Sequence, residues 1–84
     1  MKRYDSHEIE AELKSYLEGL TGVNGIVFDT PLISSGIIDS MDIIHVLLFI
    51  EGKFLIKIMP FEIYIEDFQT IRSMAKKIYN QLEK

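Results

Sequence analysis

The groups with the clearest capacity for chemistry are the hydroxyl of Ser40, set between Asp39 and Met41, and the imidazoles of His7 and His45; cysteine is absent. Without thiols, disulfide scaffolds, thiolate metal sites and cysteine nucleophiles are excluded, which fits a reducing compartment. A serine hydrolase would require Ser40 and His45 to meet. Five residues apart on a helix they point roughly 140° away from each other, and no nucleophile-elbow glycine pattern surrounds Ser40. His7 and His45 lie in different segments without ligand spacing, and no calcium-loop alternation of acids occurs, so no metal site is expected. His45 is expected at the surface. What remains is a helix start, with Asp39 as N-cap and Asp42 in the first turn. Alone, Asp39-Ser40 is an ordinary cap.

The helix that follows is unusual for its composition. From Met41 to Glu51 only Asp42, His45 and Glu51 are polar before Gly52. Ile43, Val46, Leu47, Ile50 and Phe54 have the spacing of a core face, which leaves Met41, Ile44 and Leu48 on a different side. So small a domain has little room to bury a helix all round. The second stripe is therefore a candidate docking surface.

Two further helices frame this one. Ile9, Leu13, Tyr16, Leu17 and Leu20 predict a helix over about 6–18, capped by Asp5 or Ser6. Glu8, Glu10 and Glu12 suit its dipole, and Gly19 and Gly22 are expected to end it. Ile71, Met74, Ala75, Ile78 and Leu82 predict a last helix over about 70–82, capped by Thr70, with Lys76, Lys77 and Lys84 toward its C-terminal end. Between the first helix and Asp39 lies a long connection rich in turn formers, which Ile26, Val27, Phe28, Leu32, Ile33 and Ile37 should tie to the core. Ile26 to Phe28 reads as a short strand, but with no partner strand. After Phe54, alternating apolar residues suggest an extended segment. Pro60 then favours a new start, with Phe61 to Tyr64 as a short helix of one or two turns.

Eighty-four residues bound the chain to a single domain, 1–84, and 48% apolar residues suffice for a packed core. Residues 1–38 carry six acids against three bases, residues 39–67 six against two, and residues 68–84 one against four. The acidic middle repels nucleic acid and suits a basic partner, or is simply a solvated face. The basic start has no apolar run behind it, so no signal peptide is expected, and the longest apolar run, Val46 to Ile50, excludes membrane insertion by a helix. A soluble cytoplasmic monomer is the expectation.

Gly36-Ile37-Ile38-Asp39-Ser40-Met41 resembles the Gly-x-x-Asp-Ser-Leu/Met signature of acyl, peptidyl and D-alanyl carrier proteins. Phe49-Ile50-Glu51-x-Lys53-Phe54 follows at the family's distance, then Ile56-x-Ile58. Glu66-Asp67-Phe68-x-Thr70-Ile71 is similar to the family's Glu-Asn-Phe-x-Thr-Ile before the last helix, and the likeness spans residues 32–82. The resemblance implies an all-α fold, a right-handed four-helix bundle of the acyl carrier protein type, with a long loop between helices 1 and 2 and a short third helix. It implies that Ser40 is esterified by 4′-phosphopantetheine, taken from coenzyme A by a phosphopantetheinyl transferase, with Asp39 as the cap beside the attachment site. The arm's thiol would hold an acyl or aminoacyl group as a thioester, and the chain itself would catalyse nothing. A phosphodiester at that position would sit beside unpaired N–H groups and the positive end of the helix dipole.

The implied docking face comprises Met41, Asp42, Ile44, His45, Leu48, Glu51 and Glu62. Carriers of fatty acid synthesis usually have a more acidic second helix. Only Asp42 and Glu51 are acidic on this one, Gly52 stands where an acid is common, and the third-helix region is also less charged. The expected partners are therefore an acyl- or aminoacyl-adenylating ligase and a downstream transferase or synthase, met more by apolar contact than by steering. The alternative is a helical protein-interaction domain without a prosthetic group, in which Met41, Ile44 and Leu48 bind a partner helix.

Overall fold

The computed structural model describes residues 4–59 and 64–83. Among them are three α-helices, α1 (Ser6–Thr21), α2 (Ser40–Phe54) and α3 (Ile71–Leu82), one 3-10 helix (Ile65–Phe68), and no strand. The domain is all-helical, and Ile26 to Phe28, without a pairing partner, is irregular loop.

Each helix begins where a side chain replaces the missing acceptors of the first turn. Asp5 accepts the Glu8 N–H at 2.8 Å and Glu8 returns the bond to the Asp5 N–H at 3.1 Å. Thr70 and Ser73 form the same reciprocal box ahead of α3. Such caps are each worth about 1 kcal/mol. The first helix runs through Gly19, contrary to expectation, because a helix-interior glycine costs only about 1 kcal/mol where the flanking Leu17 is fully buried. It stops at Gly22, whose φ of +73° is the left-handed cap conformation and whose N–H closes on the Glu18 carbonyl.

Ile9, Leu13 and Leu17 of α1, Val46, Ile50 and Phe54 of α2, and Ile71, Met74, Ala75 and Ile78 of α3 converge on one core. The backbones of α1 and α3 approach most closely. The second helix meets α1 through long side chains, with Tyr16 stacked on Phe49 and Lys53 paired with Glu12 at 2.6 Å. Truncating a fully buried core side chain such as Leu13 or Ile78 to alanine would cost about 2–5 kcal/mol.

Several expectations need correction. Val27 is exposed and does not anchor the long loop, whereas Ile38, not expected there, is buried in the core as Ile26 and Leu32 are. Of the three acids expected to suit the dipole of α1 only Glu8 lies in its first turn, and Glu10 is buried, with His7 3.6 Å away. Lys76 and Lys77 fall before the last turn of α3, which holds no basic residue; Lys77 instead faces Asp67 at 3.8 Å and the Tyr64 ring. The short helix expected over Phe61 to Tyr64 falls, but for Tyr64, outside the described residues, as does Lys84. Tyr64 itself is extended, and the described short helix starts one residue later. A fourth α-helix is thus not among the described elements.

Candidate functional site

The N-terminus of α2 is built by a reciprocal cap between two aspartates. The Asp39 carboxylate accepts the Asp42 N–H at 3.0 Å, and the Asp42 carboxylate accepts the Asp39 N–H at 3.1 Å. With Asp39 extended, Ser40 is the first helical residue, and its side chain is exposed. The cap satisfies the Asp42 amide and leaves those of Ser40 and Met41 without a protein acceptor among the described residues. No described side chain is within hydrogen-bonding distance of the Ser40 hydroxyl as a base. Chemistry at that hydroxyl therefore needs a base from another molecule.

The loop ahead of Ser40 is held to the rest of the fold by hydrogen bonds. Gly36, at φ +80°, turns the chain in a conformation that a side chain would disfavour. The Ile38 N–H donates to the Leu32 carbonyl at 3.1 Å and the Gly36 N–H to that of Ile33 at 3.0 Å, closing the turn just ahead of the cap. Farther back, the Arg72 N–H donates to the Phe28 carbonyl at 3.1 Å, and the Arg72 guanidinium pairs with Asp29 at 2.8 Å.

Beyond Ser40, α2 divides as its periodicity indicates. Val46, Ile50 and Phe54 are buried, with Ile43 and Leu47 half-buried beside them. Met41, Ile44 and Leu48 are 61%, 52% and 61% exposed, an apolar stripe that starts one residue after Ser40. No family model and no curated protein sequence matches this chain.

The other residues assigned to this face differ in what they do. His45 is exposed, while its backbone carbonyl accepts the Tyr16 hydroxyl at 3.1 Å. Asp42 is half-buried and engaged in the cap. Glu51 is half-buried too, and its carboxylate accepts the Ile58 N–H at 3.2 Å, holding the segment that leaves α2. Glu62 lies outside the described residues.

A mostly apolar hollow of about 420 Å³, lined by Tyr4, Phe54, Leu55, Ile56 and Leu82 together with Lys53 and Gln81, lies at the opposite end of α2 from Ser40. Fourteen residues of helix place the two roughly 21 Å apart. Among the described residues no group of three or more His, Asp or Glu is arranged to hold a metal ion, and no helix is long and apolar enough to cross a membrane. Near the same end, the Glu12 carboxylate holds the Lys53 ammonium above the usual lysine pKa, by hydrogen bond and by charge. Sequence periodicity did not reveal Gln69 or the Tyr16–His45 bond, because both join residues about thirty positions apart.

Proposed function

We propose that this chain is a carrier protein, with Ser40 as the attachment point for a 4′-phosphopantetheine arm that holds an acyl or aminoacyl group. The observation that carries the reading is the exposed Ser40 at the first position of α2, with an exposed apolar stripe beginning at the next residue. On this reading the architecture is the four-helix carrier bundle, the protein is cytoplasmic, and it is a substrate of enzymes rather than one itself.

The residues present fit the arm. Its phosphodiester would lie against the Ser40 and Met41 amides and the positive end of α2, and Asp39 would keep those amides in place. When bound, the arm supplies a thiol that carries the cargo as a thioester. The chain contributes a reachable hydroxyl on a rigid helix start; its proton leaves to a base on the transferase as the bond from oxygen to phosphorus forms and adenosine bisphosphate departs. Met41, Ile44 and Leu48 then supply apolar contact for a dedicated adenylating ligase and a downstream transferase or synthase.

Intact mass after incubation with coenzyme A, Mg²⁺ and a broad-specificity phosphopantetheinyl transferase is the direct test. One arm should be added to the wild type and none to Ser40→Ala. An unchanged wild-type mass, under conditions that modify a known carrier, would refute the assignment. So would modification persisting in Ser40→Ala.

The same stripe supports a second reading, a helical interaction domain with no prosthetic group. In that case Ile44→Glu or Leu48→Glu would abolish partner binding while Ser40→Ala changed nothing. For a carrier served by fatty acid synthase enzymes instead of a dedicated ligase, loading by those enzymes would be efficient and insensitive to Ile44→Glu.

A further inference from the structure

The part of the loop nearest Ser40 that is tied across the fold is held by Gln69. Gln69 accepts three consecutive backbone N–H groups from it: that of Leu32 on its carbonyl at 2.7 Å, and those of Ile33 and Ser34 on Oε1 at 2.9 and 3.1 Å. These bonds join positions 35 to 36 residues apart for the side-chain pair, so no local preference of the loop supplies them. The anchor itself is fixed on both sides. Phe68 is buried in the core, Thr70 caps α3, and the Gln69 N–H closes on the Glu66 carbonyl at 3.3 Å.

The clamp is relayed to the site through two further bonds. Leu32, held by Gln69, uses its own carbonyl to accept the Ile38 N–H, and Ile33 accepts the Gly36 N–H. Ile38 directly precedes Asp39, whose carboxylate caps the helix that Ser40 begins. The Gln69 backbone is thus linked through Leu32 and Ile38 to the cap, and its side chain through Ile33 to the Gly36 turn just ahead of that cap. We infer that Gln69 is a positioning residue for the modification of Ser40, holding the preceding loop in the one shape in which the cap and the hydroxyl are presented together. This inference rests on the carrier reading. Without the Gln69 carboxamide, the half-buried Ile33 N–H loses its acceptor and the loop samples other shapes, so the transferase meets a smaller competent fraction.

That loss belongs in recognition rather than in the chemical step, which the transferase supplies. Gln69→Ala should raise the KM for the carrier about 5- to 30-fold and leave kcat within about twofold. Gln69→Glu retains an acceptor oxygen at the same place and should recover most of the loss. Arg72→Gln removes the side-chain tie between the loop and α3, the one to Asp29, and should leave KM near the wild-type value. Amide hydrogen exchange on the unmodified proteins supplies an independent readout: Ile33, Ser34 and Gly36 should exchange faster in Gln69→Ala while the core amides of α1 stay protected.

A Gln69→Ala protein with wild-type KM and wild-type exchange at Ile33 and Gly36 would overturn the positioning role and leave the carrier reading standing. Equal losses in Gln69→Ala, Gln69→Glu and Arg72→Gln would also overturn it, as the signature of general loosening. A wild-type chain that accepts no arm would overturn the carrier reading and this role with it.

Discussion

Tyr16 of α1 lies flat on Phe49 of α2, with ring centroids 4.1 Å apart and planes 11° from parallel. The Tyr16 hydroxyl reaches past the stack to the His45 carbonyl at 3.1 Å, one turn earlier on α2. Two contacts from one side chain thereby fix both the separation and the rotation of α2. Rotation matters here, because α2 is apolar on more than one side, with Val46 buried and Ile44 and Leu48 exposed. The stack continues edge-on from Phe49 to Phe54 and on to Tyr4.

Tyr16→Phe keeps the stack and removes the hydroxyl bond, so the expected loss is about 0.5–1.5 kcal/mol. Tyr16→Ala removes both and should cost about 3 kcal/mol. Urea unfolding followed by far-ultraviolet dichroism separates the two. Equal losses would mean that the hydroxyl bond, not the stack, sets the position of α2.

The two residues at the start of α2 should separate in their effects. Asp39→Ala removes the cap and leaves the Asp42 amide unpaired, with a loss of about 1 kcal/mol. Ser40→Ala removes an exposed hydroxyl and should change stability by less than about 0.5 kcal/mol. Thermal unfolding of the pair checks this. A large loss in Ser40→Ala would make the serine structural.

Leu55 closes α2 in the left-handed region, at φ 56° and ψ 43°, with its side chain 88% exposed. A leucine there carries roughly 1–2 kcal/mol of steric cost and buries little in return. Leu55→Asn, a residue that tolerates this conformation, should raise stability by about 0.5 kcal/mol. A lower urea midpoint would show that apolar contact around the adjoining hollow outweighs the backbone strain.

Lys53 and Glu12 give a pH signature at the alkaline end. The folded-state pKa of Lys53 lies above that of the unfolded chain, about 10.4. Its contribution is therefore fully present below pH of about 10 and is lost as pH rises through the folded value. The stability difference between wild type and Lys53→Met should be constant from about pH 7 to 9.5 and shrink above that. Because the pair is partly exposed, the difference should be small and fall with added salt. A difference that grows above about pH 10.5 would contradict this account.

Much of the fold was legible in the residues because it is local. The caps at Asp5, Asp39 and Thr70 are set by side chains bonding three residues ahead, and the core faces of α1, α2 and α3 follow from a period of 3.6. The exposure of Met41, Ile44 and Leu48 was foreseen on similar grounds, since one helix in a small domain cannot bury every side.

The ends of elements were less legible where burial overrode propensity, as at Gly19, which α1 passes through because the core draws in the residues on either side. The long loop was least legible. Its turn formers announce irregularity, but which of its apolar residues go inward depends on where α3 stands, so Ile38 is buried and Val27 is not.

At the N-terminus of α2, the Asp39 cap, the first helical position of Ser40 and the apolar stripe that follows were all determined by the sequence itself, through neighbours within one or two turns. The direction from which the chain arrives at that serine was decided only by the tertiary structure. It depends on Gln69, a residue 29 positions farther along the chain than Ser40, whose amide oxygen accepts two N–H groups that the loop alone cannot satisfy. Bonds between residues so far apart in sequence leave no periodic trace, and they form only once the helices have packed.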